Sequence, residues 1–521
     1  MEFLKNSKIY ILLASLYLII NFFIILNFGF YNDDWGFFVT NYLTKTDHIL
    51  ENMVVEIGVK RHINFPIYAV LVYLGDYPKV LYTLTFLLST FLIFLKFKVF
   101  KKLLTKLNPN VKVDHYLILI ILIWYFLPFN FGGQFWITGI HIEISYLLFL
   151  AHLFFLINKK IYTSLFFLFL SFNSYENLYL IYLAFVAIFY LYELVEKKEF
   201  KRYVIYSSLI QIFFIFYKKR ESHEFDIYNL LIGSIENILR FFYSIYTSSF
   251  YYLGSTLTII FLLLIIISLI NLFKYKKLQN KKFFLSLTIL LSTIPINSLI
   301  IVAGNYGYTG NGIFSRTMFA PSITFFFILL LFFSINKKTF ISIYFFLFFS
   351  LSGFISETFN WIESKNIQDQ IVENKIFNQM GHDKNLILFH GPCYINGVEI
   401  FNASWDLERY LREKNKRFVD GNSRIIPVQN WKIFISDLDP WYKKRENKKF
   451  IHVHTYVYDL DNYKRIYYLD FYQKITKQIY FDASNFDDLN KQFNKINKRK
   501  DCHIGVNYYK LAKKIKKQIL H

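Results

Sequence analysis

Apolar segments recur through the first two thirds of the chain, at about 9–30, 67–95, 115–131, 141–157, 161–172, 178–194, 203–217, 250–273, 283–302, 317–335 and 339–356. One helical crossing of a bilayer takes roughly 20 apolar residues, and a chain carrying eleven such segments has no aqueous way to cover them. With 55% hydrophobic and 21% aromatic residues, it reads as a polytopic α-helical membrane protein with about eleven transmembrane helices. The first segment follows Lys5 and Lys8 as a signal sequence would, but it is long enough to span and no small-residue cleavage site follows, so it is expected to remain as the first helix.

The formal charge of +22 does not point to nucleic acid, because Lys and Arg fall in short clusters between the apolar segments: the N-terminus, 96–112, 159–160, 197–202, 274–282 and 337–338. Placed together on the cytoplasmic side, these clusters require an even number of crossings between neighbours. By that parity the N-terminus is cytoplasmic, 161–194 forms two short, partly re-entrant helices, and the loops at 31–66, 129–140, 171–177, 218–249 and 303–316 face outward. Residues 357–521 follow an odd number of crossings and are also expected outside. They are charged, contain no spanning run, and alternate β-like stretches (385–390 and 450–458) with a helical one (405–416), the pattern of a small soluble α/β domain beside a membrane domain of residues 1–356. The two cysteines, Cys393 and Cys502, both lie in this region. They are read either as one disulfide, if it faces an oxidising compartment, or as two thiols.

The outward loops collect most of the polar residues able to do chemistry. Asp33 and Asp34 stand where the first apolar run stops; one reading is a solvated helix flank, the other a general base with a structural or metal-assisting neighbour. Lys60, Arg61 and His62 precede the second segment, against the usual orientation bias, where they either snorkel to lipid phosphates or bind a substrate phosphate. Arg316 follows Gly310 and Gly312 and enters the tenth segment with no other charge nearby, a second candidate for a phosphate or carboxylate partner. Gln134, His141, Glu143 and Glu176 are candidate acceptor-binding or supporting groups. His141 and Glu143, two apart, face different sides of a helix and make a poor metal pair. Lys218, Lys219 and Arg220 break the orientation bias outright: either the topology differs at the seventh helix, or the cluster binds a phosphate or an anionic lipid at the outer surface, while Glu56 and Asn305 complete the outward polar set. No Walker, Rossmann, GxSxG or HExxH pattern occurs, so a nucleotide-driven pump or a soluble-type nucleotide-sugar enzyme is not indicated.

A first helix ending in an outward loop with an acidic pair, an Arg before the second helix, about eleven spans and an outward C-terminal region together resemble the GT-C superfamily of integral-membrane glycosyltransferases, in particular bacterial members that decorate surface glycans or lipids. The resemblance implies an inverting transfer of a hexosyl or pentosyl group from a polyprenyl-phosphate donor to a glycan or lipid acceptor on the outer face of the bacterial cytoplasmic (inner) membrane. It implies Asp33 as base, Arg61 and Arg316 as phosphate-binding cations, no required cofactor, and a divalent metal only as an option. Two other classes remain open: a polysaccharide polymerase or ligase, and a lipid-linked glycan flippase or transporter. The last is expected to place ionisable residues near mid-bilayer.

Overall fold

The computed structural model describes residues 2–31, 34, 45–58, 61–75, 77–107, 114–128, 131–175, 178–217, 227–245, 281–303, 313–335, 340–373, 377, 384–396, 398–401, 404–414, 423–427, 433–436, 450–453, 456–459, 462–463, 465–470, 479–481, 491 and 503–504. They fall into two compact units. The first comprises Met1–Leu26, Ile49–Leu71 and Lys79–Phe359, the second Asn27–His48, Val72–Pro78 and Asn360–His521.

The helices are α1 (Glu2–Asn27), α2 (Lys45–Gly58), α3 (Asn64–Tyr73), α4 (Pro78–Leu107), α5 (Asp114–Tyr125), the single turn α6 (Phe131–Phe135), α7 (Ile140–Ile157), α8 (Ile161–Ser174), α9 (Tyr179–Leu191), α10 (Lys197–Tyr217), α11 (Ile227–Ile245), α12 (Lys281–Ala303), α13 (Phe319–Ile335) and α14 (Phe340–Val372), with 3-10 turns at Ile137–Gly139 and Ile313–Met318. Among the described residues two stretches are long and apolar enough to cross a membrane, Pro78–Thr105 and Ile137–Ile157, with mean hydropathy 1.9 and 2.0. Along α4, Leu87, Phe91 and Phe94 are each more than half exposed. An apolar face of that extent marks a membrane or protein contact. Six shorter apolar helices, of 10–17 residues, accompany these two among the described residues.

Four expectations from the sequence need correction. The segment at 67–95 is not one helix: α3 ends in a turn at Leu74-Gly75, and Pro78 opens α4, since glycine releases a helix and proline suits its first turn. Within the stretch read as the outward loop 218–249 lies α11, an amphipathic helix whose Ser234 carbonyl accepts a hydrogen bond from Ser298 of α12 at 3.0 Å. The stretch read as the outward loop 129–140 contains α6 and a 3-10 turn, every residue of which is buried. The last apolar helix does not stop at 356 but runs to Val372, so the expected domain boundary falls inside α14. The segment at 250–273 lies outside the described residues.

The second unit is α/β. Its strands are β1 (Asn385–His390), β2 (Tyr394–Ile395), β3 (Val398–Glu399), β4 (Arg424–Pro427), β5 (Ile433–Ser436), β6 (Phe450–Val453), β7 (Tyr456–Asp459), β8 (Arg465–Asp470), β9 (Ile479–Phe481) and β10 (His503–Ile504), and its helix α15 is Ser404–Lys414. The principal sheet has the order β4-β1-β8-β9, with β1 parallel to both neighbours and β9 antiparallel. Every side chain of β1 is buried, which is why its sequence is a continuous apolar run between Asn385 and His390. The chain returns to β4 through α15, which packs on that strand and supplies the crossover a parallel pair needs.

The start of the second unit is held to α14 by aromatic packing. Trp361 is wholly buried, lies parallel to Phe28 with ring centroids 5.8 Å apart, and meets the edge of Tyr31 at 4.5 Å. The Tyr31 hydroxyl donates to the Trp361 carbonyl at 2.9 Å. Burial holds this phenol well above its ordinary pKa, so it stays a donor. Downstream, Cys393 is disulfide-bonded, and Cys502 is the one other cysteine in the sequence. The alternative of two thiols is thereby closed. Alkylation of the unfolded protein under non-reducing conditions is expected to add no label, and two labels after reduction. Labelling of both residues before reduction would show the bond to be absent.

Candidate functional site

In the first unit the path begins at Arg61, in the turn leading to α3. That turn is tied to the C-terminal end of α8: the Ile63 amide donates to Asn173 Oδ1 at 2.9 Å, and the Ser174 hydroxyl donates to Asn64 Oδ1 at 2.8 Å. The polar run Ser171-Phe172-Asn173-Ser174, which interrupts an otherwise apolar stretch, therefore serves as a dock for a neighbouring turn. Beyond it Tyr175 takes an extended conformation, and its ring lies under the Arg61 guanidinium at 5.3 Å, a cation–π contact.

The edge of Tyr175 meets His141, ring centroids 5.3 Å apart. His141 is buried at the start of α7, and its Nδ1 stands 3.0 Å from the Thr138 carbonyl and 2.8 Å from the Tyr68 hydroxyl. Tyr68 itself donates to the Thr138 carbonyl at 2.7 Å. The Thr138 carbonyl can only accept, which assigns a proton to Nδ1. The 3-10 turn carrying Thr138 is closely packed at its end: a Cβ on Gly139 would stand 3.2 Å from the Trp136 ring and 3.3 Å from the Gly132 carbonyl. Trp136 in turn carries the Arg316 guanidinium over its face at 4.5 Å, and α6 packs on the 3-10 turn that bears Arg316.

Arg61, Tyr175, His141, Thr138, Trp136 and Arg316 therefore form one chain of contacts across α3, α7, α8 and the buried segment 131–139. Gln134 sits within that segment, 2% exposed, with neither its amide oxygen nor its amide nitrogen hydrogen-bonded. A buried amide with both ends unpaired costs on the order of 1–3 kcal/mol per unmet group, a cost removed by a ligand that can both donate and accept. The strip carries two guanidiniums, an imidazole and an amide, the group types that contact anions and hydroxyls.

Other predicted residues fall elsewhere. Asp33, Lys60, Glu176, Asn305, Lys218, Lys219, Arg220, Gly310, Gly312 and Cys502 lie outside the described residues, as does the side chain of Glu56. His62 is exposed and hydrogen-bonded to the Tyr217 hydroxyl, not directed into the strip. Asp34 belongs to the second unit, where it is fully buried and its Oδ2 accepts the Tyr31 amide at 3.1 Å, closing the turn that follows α1.

Glu143 is not part of the strip either. It is buried and accepts the Ser89 hydroxyl of α4 at 3.1 Å. Near it is a residue misread from sequence: Lys96, taken as the first member of a cytoplasmic cluster, is 1% exposed within α4 and lies on the Trp124 ring with Tyr146 at 5.0 Å. Helix rise places Lys96 about 16 Å from the end of α4, Trp124 about 15 Å from the start of α5, and Tyr146 about 16 Å from the end of α7. The signal was present in the sequence: Lys96 and Lys98 are embedded among Phe, Leu and Val, and a run continuing to Leu104 argues for a helix extending past them. His152, also passed over, is buried against Ser164 and Tyr203.

Among the described residues no group of three or more His, Cys, Asp or Glu side chains is placed to hold a metal ion. No known protein family, curated protein or solved structure matches the chain.

Proposed function

We propose that the chain is an inverting membrane glycosyltransferase that moves a sugar from a polyprenyl-phosphate donor to a glycan or lipid acceptor, with about eleven spans and its first acidic loop and C-terminal region outside the cytoplasmic membrane. The observation that carries this reading is the continuous path from Arg61 to Arg316 through His141, with the unpaired Gln134 amide beside it. An amphiphile bearing a phosphate and sugar hydroxyls matches that set of groups. Asp33 as base rests on the family resemblance. The hydrogen bond from Tyr31 to Asp34 supports giving the second carboxylate the structural part.

In the reaction the acceptor hydroxyl loses its proton to Asp33 as its oxygen attacks the anomeric carbon. The bond from that carbon to the phosphate oxygen breaks with inversion, and polyprenyl phosphate departs carrying the electron pair. Arg61 and Arg316 offset the charge that develops on the leaving phosphate. A guanidinium already seated on an aromatic face is held in place, so little rotamer freedom remains to be lost on binding.

A second reading has one observation in its favour. Lys96 and Glu143 are ionisable groups buried within the helices, as an ion-coupled flippase of lipid-linked glycans requires. The two readings separate on one variant: in proteoliposomes, Glu143→Gln is expected to leave sugar transfer within about twofold of wild type, whereas a coupled flippase would lose proton-driven translocation.

For the transferase itself, Asp33→Asn should abolish product from a radiolabelled lipid-linked sugar while the protein accumulates in the membrane; normal product would remove the base assignment. Arg61→Ala and Arg316→Ala should each lower kcat/KM for the donor roughly ten- to hundredfold, the loss of a charge-assisted contact, with the acceptor KM unchanged. Gln134→Leu should lower activity while the melting temperature in detergent stays level or rises, because the unpaired amide is removed from an apolar site. A drop in both together would make Gln134 a structural residue only.

A further inference from the structure

At the end of the first unit's bundle where α7 turns into α8, a cleft of about 330 Å3 is lined by Lys159, Lys160, Tyr162, Glu199, Arg202 and Tyr206, among others. Its floor is built by the turn itself. Lys159 stands at φ 61°, the left-handed conformation that closes a helix, and the Lys160 amide reaches back to the Phe155 carbonyl at 2.9 Å. That closure sets two lysines in succession opposite the first turns of α10, from which Arg202 and Tyr206 come. The N-cap of α8, Lys160, makes no side-chain capping bond, and the residues of its first turn border the cleft.

The charges around the cleft are only partly matched. Lys159 is ion-paired with Glu196, and both are exposed. Lys160 and Arg202 make no ion pair among the described residues, and one oxygen of Glu199 is buried without a partner. A carboxylate in the lining limits the site to a ligand that brings hydroxyl or other donors as well as negative charge.

Beyond the cleft the surface changes from basic to apolar. On α8, Tyr162 and Phe166 are exposed one turn apart; on α10, Ile205, Leu209, Ile212 and Phe216 form an exposed stripe with helical spacing. The two helices pack on each other, with Phe169 stacked against Phe213. A basic, hydroxyl-tolerant recess at the head of a continuous apolar track has the two-part form of a phospholipid: charge at one end, hydrocarbon along the other.

We propose that this cleft binds the phosphate-bearing headgroup of an anionic glycerophospholipid whose acyl chains lie along the exposed faces of α8 and α10. The site goes beyond the transfer reaction and shares no residue with the Arg61–Arg316 strip. Its volume is at the lower end of small-molecule sites and suits a headgroup rather than a few waters. A tyrosine at either side, Tyr162 and Tyr206, has an apolar ring for the chain and a hydroxyl for the headgroup, the property that places tyrosine at membrane interfaces.

The test is lipid retention by the full chain. Purified in detergent and exchanged into nanodiscs of phosphatidylcholine with one-tenth phosphatidylglycerol, the wild-type protein is expected to keep phosphatidylglycerol through native mass spectrometry. Lys160→Gln with Arg202→Gln should weaken retention roughly thirtyfold, from two interfacial cations. Lys160→Arg with Arg202→Lys, which keeps the charge, should retain it, as should Lys282→Gln, a charge change elsewhere in the unit. If the double Gln variant does not purify as a monodisperse species, Arg202→Gln alone is measured, with a smaller loss expected. Equal retention of phosphatidylcholine, or unchanged phosphatidylglycerol in the Gln variants, would overturn the proposal. Full displacement of the lipid by millimolar inorganic phosphate would show a simple anion site and overturn the lipid assignment.

Discussion

Away from water, each backbone N–H and C=O must be paired within the protein, and this requirement explains where the first unit departs from regular helix. Between α5 and α7 the backbone passes through α6 and a 3-10 turn, all buried. Irregular backbone of this kind is tolerated only where other protein covers it, and here Tyr68 donates to the Thr138 carbonyl while the turn bearing Arg316 packs across α6. The end of α8 is treated in the same way, its Asn173 and Ser174 side chains taking up the turn that carries Arg61. Each break in the helical pattern thus brings a candidate functional residue, and the hydrogen bonds that make the break tolerable also fix that residue's position.

The sequence made the helical class legible because period and polarity agree over long stretches. It made Arg61, Gln134, His141 and Arg316 legible as polar residues in apolar surroundings. It did not reveal that they share a path, because they come from parts of the chain separated by helices, and partnership across helices leaves no local pattern. The break at Gly75 to Pro78 was readable from turn chemistry alone, but the hydropathy on either side is continuous and conceals it. The amphipathic helix α11 was missed for the opposite reason, its apolar residues being too evenly interleaved with Asn, Ser, Glu and Arg to form a run. Lys96 was misplaced because a basic residue near others of its kind is read as part of their cluster, whereas burial is decided by the aromatic rings of α5 and α7 that close over it.

Asp33 and Asp34 are adjacent in sequence, yet the turn after α1 gives the second a defined task. With Oδ2 accepting the Tyr31 amide and the Tyr31 hydroxyl donating to the Trp361 carbonyl, the turn is fastened at both ends. The turn therefore has its capping carboxylate in Asp34.

Lys96 raises a different problem, since an ammonium within a helical bundle is expensive to desolvate. Two aromatic faces and a carboxylate held by Ser89 stand around it, and among the described residues its nitrogen, the Trp124 indole and the Tyr146 hydroxyl have no hydrogen-bond partner. Three unmet polar atoms in one neighbourhood are more than a structural ion pair requires. A pair kept only for stability would be expected to bring its charges into contact, and a well-packed apolar substitute would serve the fold equally well. Holding Lys96 and Glu143 without a direct ion pair, within reach of further donors, instead keeps a polar locus inside the bundle. Such a locus is compatible with sugar transfer elsewhere in the unit, because it shares none of the residues between Arg61 and Arg316, and it is the feature by which the enzymatic and transport readings of this fold differ physically.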